Sequence, residues 1–291
     1  MPPPRSGQLR TVLRMIKFEH TVFALPFAFL GMILAARGWP DWATVGWITV
    51  AMVGARSAAM GFNRLADRHL DAQNPRTSGR ALPAGEVTPR FVALFVLAGA
   101  TLLIVACWRL NPMALAMAPI ALVVILGYSY TKRFTAASHL VLGLALAGAP
   151  IGAWIAVRGD LTAVPATLGA AVLFWVAGFD ILYALQDLEF DRAKGLFSIP
   201  ARLGEVPALY LSALFHLAMV GLLLLLARLY GEPLGWGYAA GVAGCAAILA
   251  WEHWVVRPGD LSRLNAAFFT ANSLVGMWLL VATGLDFWLL Y

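Results

Sequence analysis

Nine apolar runs, each long enough to cross about 30 Å of hydrocarbon, divide this chain. They fall near residues 20–37, 42–62, 91–108, 112–129, 138–157, 164–185, 207–228, 233–251 and 266–290. Inside hydrocarbon a backbone has no water to bond, so runs of this length are expected as transmembrane helices. Interior prolines such as Pro26, Pro119 and Pro150 are tolerated there where neighbours satisfy the freed backbone. The expected fold is therefore all-α: a polytopic membrane protein whose nine helices form a bundle. Composition agrees, with 61% hydrophobic and only 12% charged residues. A soluble chain normally carries about twice that charge density.

A net charge of +6 would suit nucleic acid, but the basic residues cluster between the apolar runs. That is the arrangement membrane topology requires, so no nucleic-acid partner is expected. Cys107 and Cys245 lie inside apolar runs and read as small core residues, since two isolated thiols make neither a disulfide framework nor a metal site. The basic, Pro-rich start leads into an apolar run longer than a signal h-region and without a clear cleavage signal. It reads as a retained first helix after a segment 1–19.

Orientation follows from Lys and Arg. Sixteen lie in the N-terminus and the 2–3, 4–5, 6–7 and 8–9 connections, against four (Arg37, Arg109, Arg158 and Arg228) on the other side. The expected location is the cell membrane, multi-pass, with the N-terminus and those connections cytoplasmic. Topology calls for basic residues, yet carboxylates gather there too: Asp67, Asp71 and Glu86 in one connection, Asp187, Glu189, Asp191 and Glu205 in another.

Two spacings organise these acids. Asn63, Asp67 and Asp71 stand four apart, which on a helix puts them on one face. Asp180, Tyr183, Asp187 and Asp191 have offsets of 3, 7 and 11, and again trace one helical face. Tyr183, Asp187 and Asp191 each follow Asn63, Asp67 and Asp71 by 120 residues. Four apolar runs separate the clusters, so the chain reads as two duplicated four-helix halves plus a last helix. A single such cluster would read as solvated charge paired with its neighbours. Two at matched spacing favour a site. Carboxylate oxygens suit Mg²⁺, a hard ion often held by one or two carboxylates and a substrate phosphate. The nearby Arg64, Arg68, Arg76, Arg80, Lys132, Arg133, Arg192 and Lys194 suit a polyphosphate.

At these residues the chain resembles the UbiA-type intramembrane prenyltransferases over almost its whole length. The resemblance rests on Asn63-Arg64-x-x-Asp67-x-x-x-Asp71, on Asp180-x-x-Tyr183-Ala184-x-x-Asp187-x-x-x-Asp191, on Tyr128-Ser-Tyr-Thr-Lys132-Arg133 and on Arg80-Ala-Leu-Pro83-Ala-Gly85. Arg64 stands where many members have Asp, and Lys17 where many have Arg. The segment MIKFEHTVFALPF resembles a bacterial subgroup.

The resemblance implies one prenyltransferase domain over 1–291, with motif loops at 63–90 and 183–206. It implies Mg²⁺-dependent transfer of a polyprenyl group from an allylic diphosphate to an aromatic acid in quinone biosynthesis. 4-Hydroxybenzoate is the first acceptor expected and 1,4-dihydroxy-6-naphthoate, on a menaquinone route, the second. Asp67, Asp71, Asp187 and Asp191 are the expected catalytic residues and, with Asn63, the metal ligands. Lys17, Arg68, Arg76, Arg80, Lys132, Arg133 and Lys194 are expected at the diphosphate. Arg56, Asp180 and Tyr183 are expected at the acceptor or a substrate anion; Arg56, two helical turns before Asn63, has buried pairing with Asp180 as its structural alternative.

Among other polar residues, His69 points off the aspartate face and is expected to be exposed, and His216 to bond between helices. Glu19 and His20 stand at the mouth of the first helix, equally placed to touch acceptor or interface. The tryptophans near helix ends, including Trp39, Trp42, Trp251, Trp254 and Trp288, read as an interfacial belt. A secondary transporter is the rival from another class, but it would hold its charges near the midplane.

Overall fold

The computed structural model describes residue 11 and residues 21–288. Among them are nine long helices and no β-strand: α1 Thr21–Ala36, α2 Trp42–Gln73, α3 Pro89–Leu110, α4 Pro112–Thr131, α5 Ser138–Arg158, α6 Ala163–Ala184, α7 Glu205–Tyr230, α8 Trp236–Val255 and α9 Leu264–Trp288. Each falls on one of the nine apolar runs. Seven are long and apolar enough to cross a membrane by length and composition.

The largest departure is α2. Its apolar run ends near residue 62, but the helix continues to Gln73, 32 residues in all. At 1.5 Å per residue that is about 48 Å, well beyond the hydrocarbon thickness. The segment expected as a loop from 63 therefore begins as helix, and the first acidic motif rides on it.

The helices fall into two compact units. One holds α2, α3 and α4. Along α2, Gly54, Ala58 and Gly61 form a small-residue face, and α3 answers with Gly99. The backbones meet there: a Cβ on Gly54 would lie 2.7 Å from the Gly99 carbonyl oxygen, and one on Gly99 would lie 2.8 Å from Ala58 N. Small residues allow this approach, which suits helices that gain little hydrophobic energy from leaving lipid. Beneath the connection, Leu82, Val87 and Val92 form a minor core with Leu65 and Phe95. The α3 helix then starts on Pro89, capped by Thr88, whose hydroxyl accepts from Phe91 N.

The other unit holds α1 and α5–α9 around Phe27, Leu30, Leu34, Trp154, Trp175, Met219, Leu223, Val275 and Leu279. A polar cluster sits inside this apolar core. Trp175 Nε1 donates to Asn272 Oδ1 at 2.8 Å, and Asn272 Nδ2 donates to Glu252 Oε1 at 3.2 Å. His216 Nε2 lies 3.3 Å from the Trp175 carbonyl and Nδ1 lies 2.9 Å from His253 Nε2. His216 thus makes the interhelical bonds expected of it, and α6, α7, α8 and α9 are tied together. At the opposite end, Asp286 accepts from the N–H groups of Gly235, Gly237 and Tyr238, so a carboxylate on α9 satisfies the open amides at the start of α8. Cys107 and Cys245 are buried free thiols, as expected.

Candidate active site

The first acidic motif is carried by the extension of α2. Arg64, Asp67 and Asp71 share its buried face, with Asp67 only 3% exposed. Charges this deep need partners. Arg80 Nη1 donates to both oxygens of Asp71, at 2.7 and 2.9 Å, and Arg64 Nη1 stands 3.9 Å from the same carboxylate. The turn after α2 brings Arg80 back: Thr77 Oγ1 donates to the Asp71 carbonyl, Arg76 N to Asn74 Oδ1, and Arg80 N to the Thr77 carbonyl. Asn63 Nδ2 donates to Asp67 Oδ2 at 3.3 Å and to Ser129 Oγ, near the end of α4, at 3.5 Å. Its Oδ1, the oxygen a hard cation would use, has no protein partner among the described residues.

The second motif is built differently. The α6 helix ends at Ala184, a 3-10 turn covers Leu185–Asp187, and a short helix covers Leu188–Ala193. The expected single helical face is therefore interrupted between Tyr183 and Asp187. Leu185 is buried in a cluster with Leu182, Ile199, Leu209 and Leu264, which anchors the tightened turn. Asp187 is half-buried, Asp191 is buried, and the Tyr183 ring packs on Phe268 with centroids 4.6 Å apart. Asp180 finds a partner that its spacing did not suggest: His139 Nδ1, 2.7 Å from Asp180 Oδ2.

The remaining expected residues separate. Arg68, Arg76, Arg133 and Lys194 are exposed, and Arg68 Nε donates to the ring of His69, which is exposed as expected. Lys132 is half-buried, and its carbonyl accepts from Phe197 N at 2.7 Å. Arg192 turns to the Ala201 carbonyl. Arg56 is half-buried within α2. Lys17, Glu19 and His20 lie outside the described residues. Trp39, Trp42, Trp251, Trp254 and Trp288 all face outward at helix ends.

The donor set fits Mg²⁺ chemistry: carboxylate and amide oxygens, with no thiolate or imidazole at Asn63, Asp67 and Asp71. Among the described residues no three His, Cys, Asp or Glu side chains converge to cage a metal unaided. His139, Ser129, Asn272 and Glu252 escaped the sequence reading. For His139 one signal existed: it follows Glu19 by the same 120 residues that separate the acidic motifs.

Comparison with known proteins accords with these features. Residues 24–282 match the UbiA prenyltransferase family. The 4-hydroxybenzoate octaprenyltransferase of Pseudomonas fluorescens is 31% identical over 286 residues, 98% of this chain and 95% of its own. That of Pseudomonas entomophila is 33% identical over 287 residues, with the same coverage. Among solved structures, a UbiA homolog from Aeropyrum pernix superposes with a TM-score of 0.84 at 34% identity, covering 93% of this chain and 98% of that one. A UbiA homolog from Archaeoglobus fulgidus bound to DMAPP and Mg²⁺ shares the fold, with a TM-score of 0.72 at 17% identity, covering 95% of this chain and 99% of that one.

Proposed function

The chain belongs to the UbiA prenyltransferase family, and we propose that it transfers a polyprenyl group from an allylic diphosphate to an aromatic acid, with 4-hydroxybenzoate the first acceptor to test. The observation that carries this reading is the buried Asp67–Asp71 pair on α2, with Arg80 and Arg64 facing the Asp71 carboxylate. Near full-length similarity to two 4-hydroxybenzoate octaprenyltransferases supports the acceptor class. The transporter reading leaves that similarity unexplained.

Breaking the allylic C–O bond sends its electron pair out with the diphosphate. Guanidinium and ammonium groups stabilise that charge most where it develops; Arg80, Lys132 and the exposed Arg68, Arg76, Arg133 and Lys194 are assigned this role, with Lys17. The allylic cation survives only where water is excluded. An electron-rich ring then forms the new C–C bond and loses its proton to a carboxylate or to the diphosphate. Asn63, Asp67 and Asp71, with Asp187 and Asp191, are the proposed Mg²⁺ ligands; bound Mg²⁺ supplies charge neutralisation at the diphosphate. Arg56, Asp180 and Tyr183 are assigned to the acceptor or a substrate anion. The whole of 1–291 is proposed as one catalytic domain in quinone biosynthesis.

Purified protein given a prenyl diphosphate, Mg²⁺ and 4-hydroxybenzoate should yield the prenylated acid by mass spectrometry. No product, or an undiminished rate in EDTA, overturns the reading. 1,4-Dihydroxy-6-naphthoate in competition tests the second acceptor. Orientation has its own test. In a background lacking Cys107 and Cys245, cysteines placed at Gln73 and Lys194 should react from the cytoplasmic side, and one at Gly159 from the other.

A further inference from the structure

His139 opens α5 and is only 3% exposed, yet both of its ring nitrogens are engaged. Nε2 accepts a hydrogen bond from the backbone N–H of Ile199 at 3.2 Å. That nitrogen therefore carries no proton, and the tautomer follows: Nδ1 bears the hydrogen and donates it to Asp180 Oδ2 at 2.7 Å. Ile199 is the first residue of a short helix, Ile199–Leu203, capped by Ser198, just after the Asp187–Asp191 motif. The Phe197–Lys132 backbone bond fastens the same stretch. One buried imidazole thus links α5, α6 and the segment following the second motif.

The consequence falls on Asp180. Its side chain is 27% exposed, one oxygen is committed to His139, and Oδ1 has no hydrogen-bond partner among the described residues. A carboxylate oxygen accepts, so a substrate group that meets Oδ1 has to be a donor. A diphosphate has none to offer, and its charge would be repelled. The carboxylate of an aromatic acid is excluded for the same reason. Its phenolic O–H is the matching group, and a hydrogen bond from that hydroxyl to a carboxylate pushes electron density into the ring that must attack.

Granted aromatic prenyl transfer, we propose that His139 is the positioning residue that holds Asp180 with Oδ1 presented to the hydroxyl of the acceptor, so that this pair selects hydroxylated rings. The role is narrower than that of the acidic motifs: it concerns the acceptor and leaves diphosphate binding alone.

Two substitutions separate positioning from packing. His139→Leu fills the space but makes neither bond. In His139→Gln the amide can still donate to Asp180 and accept from Ile199 N. Steady-state kinetics on the purified full-length protein should show kcat/KM for 4-hydroxybenzoate reduced about 10–100-fold in His139→Leu, the range found when a supporting hydrogen bond is removed. KM for the prenyl diphosphate should stay within about threefold, and His139→Gln should recover most of the acceptor loss. Wild-type acceptor kinetics in His139→Leu overturn the proposal, as do parallel rises in both KM values that His139→Gln does not repair. If His139→Leu fails to fold, Asp180→Asn decides: acceptor-selective loss supports the proposal and equal loss for both substrates overturns it. A wild-type protein that prenylates no hydroxylated acid removes the activity reading and this one with it. A normal wild type beside unaffected His139 variants removes only this one.

Discussion

The two acidic motifs share a spacing and differ in their physics. In the first, α2 runs unbroken through Asn63, Asp67 and Asp71, and the carboxylates are buried against arginine. In the second, α6 stops at Ala184, and a 3-10 turn precedes Asp187 and Asp191. A 3-10 turn advances 120° per residue against 100° for α-helix, so three residues add about 60° of rotation. Asp187 and Asp191 are therefore rotated from the positions a continuous helix would give them below Asp180 and Tyr183. Arg192 turns to the Ala201 carbonyl, and Asp180 pairs with the His139 imidazole. The first motif is a charge-compensated element that stabilises its own helix extension. The second is held by backbone bonds and packing, with Asp187 only half-buried where Asp67 and Asp71 are buried.

The sharpest test neutralises each acid. Asp67→Asn, Asp71→Asn, Asp187→Asn and Asp191→Asn should each lower kcat by on the order of 10²–10³, as loss of one electrostatic contact to a transition state does elsewhere. Stability should divide them. Asp71→Asn removes the buried carboxylate that Arg80 and Arg64 share and should lower the melting temperature in detergent, while Asp187→Asn, at a half-buried position, should lower it less. Equal melting shifts would erase the distinction between the motifs, and wild-type rates in both Asp67 and Asp187 variants would sink the metal assignment.

Removing the cation gives the converse. Arg80→Ala deletes two bonds to Asp71 and should cost about 1.5–3 kcal/mol, the range for hydrogen bonds to charged groups. Arg192→Ala, which removes one exposed bond to a carbonyl, should stay within about 0.5 kcal/mol. Thermal melts of the two variants side by side measure the gap. Comparable losses would mean that the second motif leans on its arginine as heavily as the first.

What the sequence discloses follows the same line. The nine helices are legible because spanning hydrocarbon demands length and apolarity, and both can be read residue by residue. The acids are legible because their spacing repeats after 120 residues. The extension of α2 is legible only in part: the four-residue spacing puts Asn63, Asp67 and Asp71 on one helical face, but hydropathy sums residues singly and does not see that Asp71 and Arg80 cancel one another once the chain turns back. Nor is the break after Ala184 legible: no Gly or Pro interrupts Leu185-Gln186-Asp187, and Leu185 packs among residues such as Ile199 and Leu264 that are distant in sequence. His139 and Asn272 find their partners 41 and 97 residues away, at Asp180 and Trp175, where no local periodicity reaches.

The smallest expected effect belongs to what the motifs have in common, an outer set of exposed basic residues. Arg68 lies within the first motif and Arg76 follows it, while Arg133 lies in the connection after α4 and Lys194 follows the second motif. Arg68 lies one residue after Asp67, about 100° around α2, so it faces away from the buried carboxylates. Such groups act on a diphosphate through the field rather than through fixed contacts, and salt screens that field over about 8–10 Å. Arg68→Ala or Lys194→Ala should thus raise KM for the diphosphate only about twofold to threefold at low ionic strength, and the difference should vanish near 0.5 M salt. Arg80→Ala, whose partner is buried, should keep its defect at both salt concentrations. A salt-insensitive loss on replacing Arg68 would place its guanidinium directly on the substrate, and the division between an inner, fixed arginine and an outer, screened set would fail for the first motif while standing for the second.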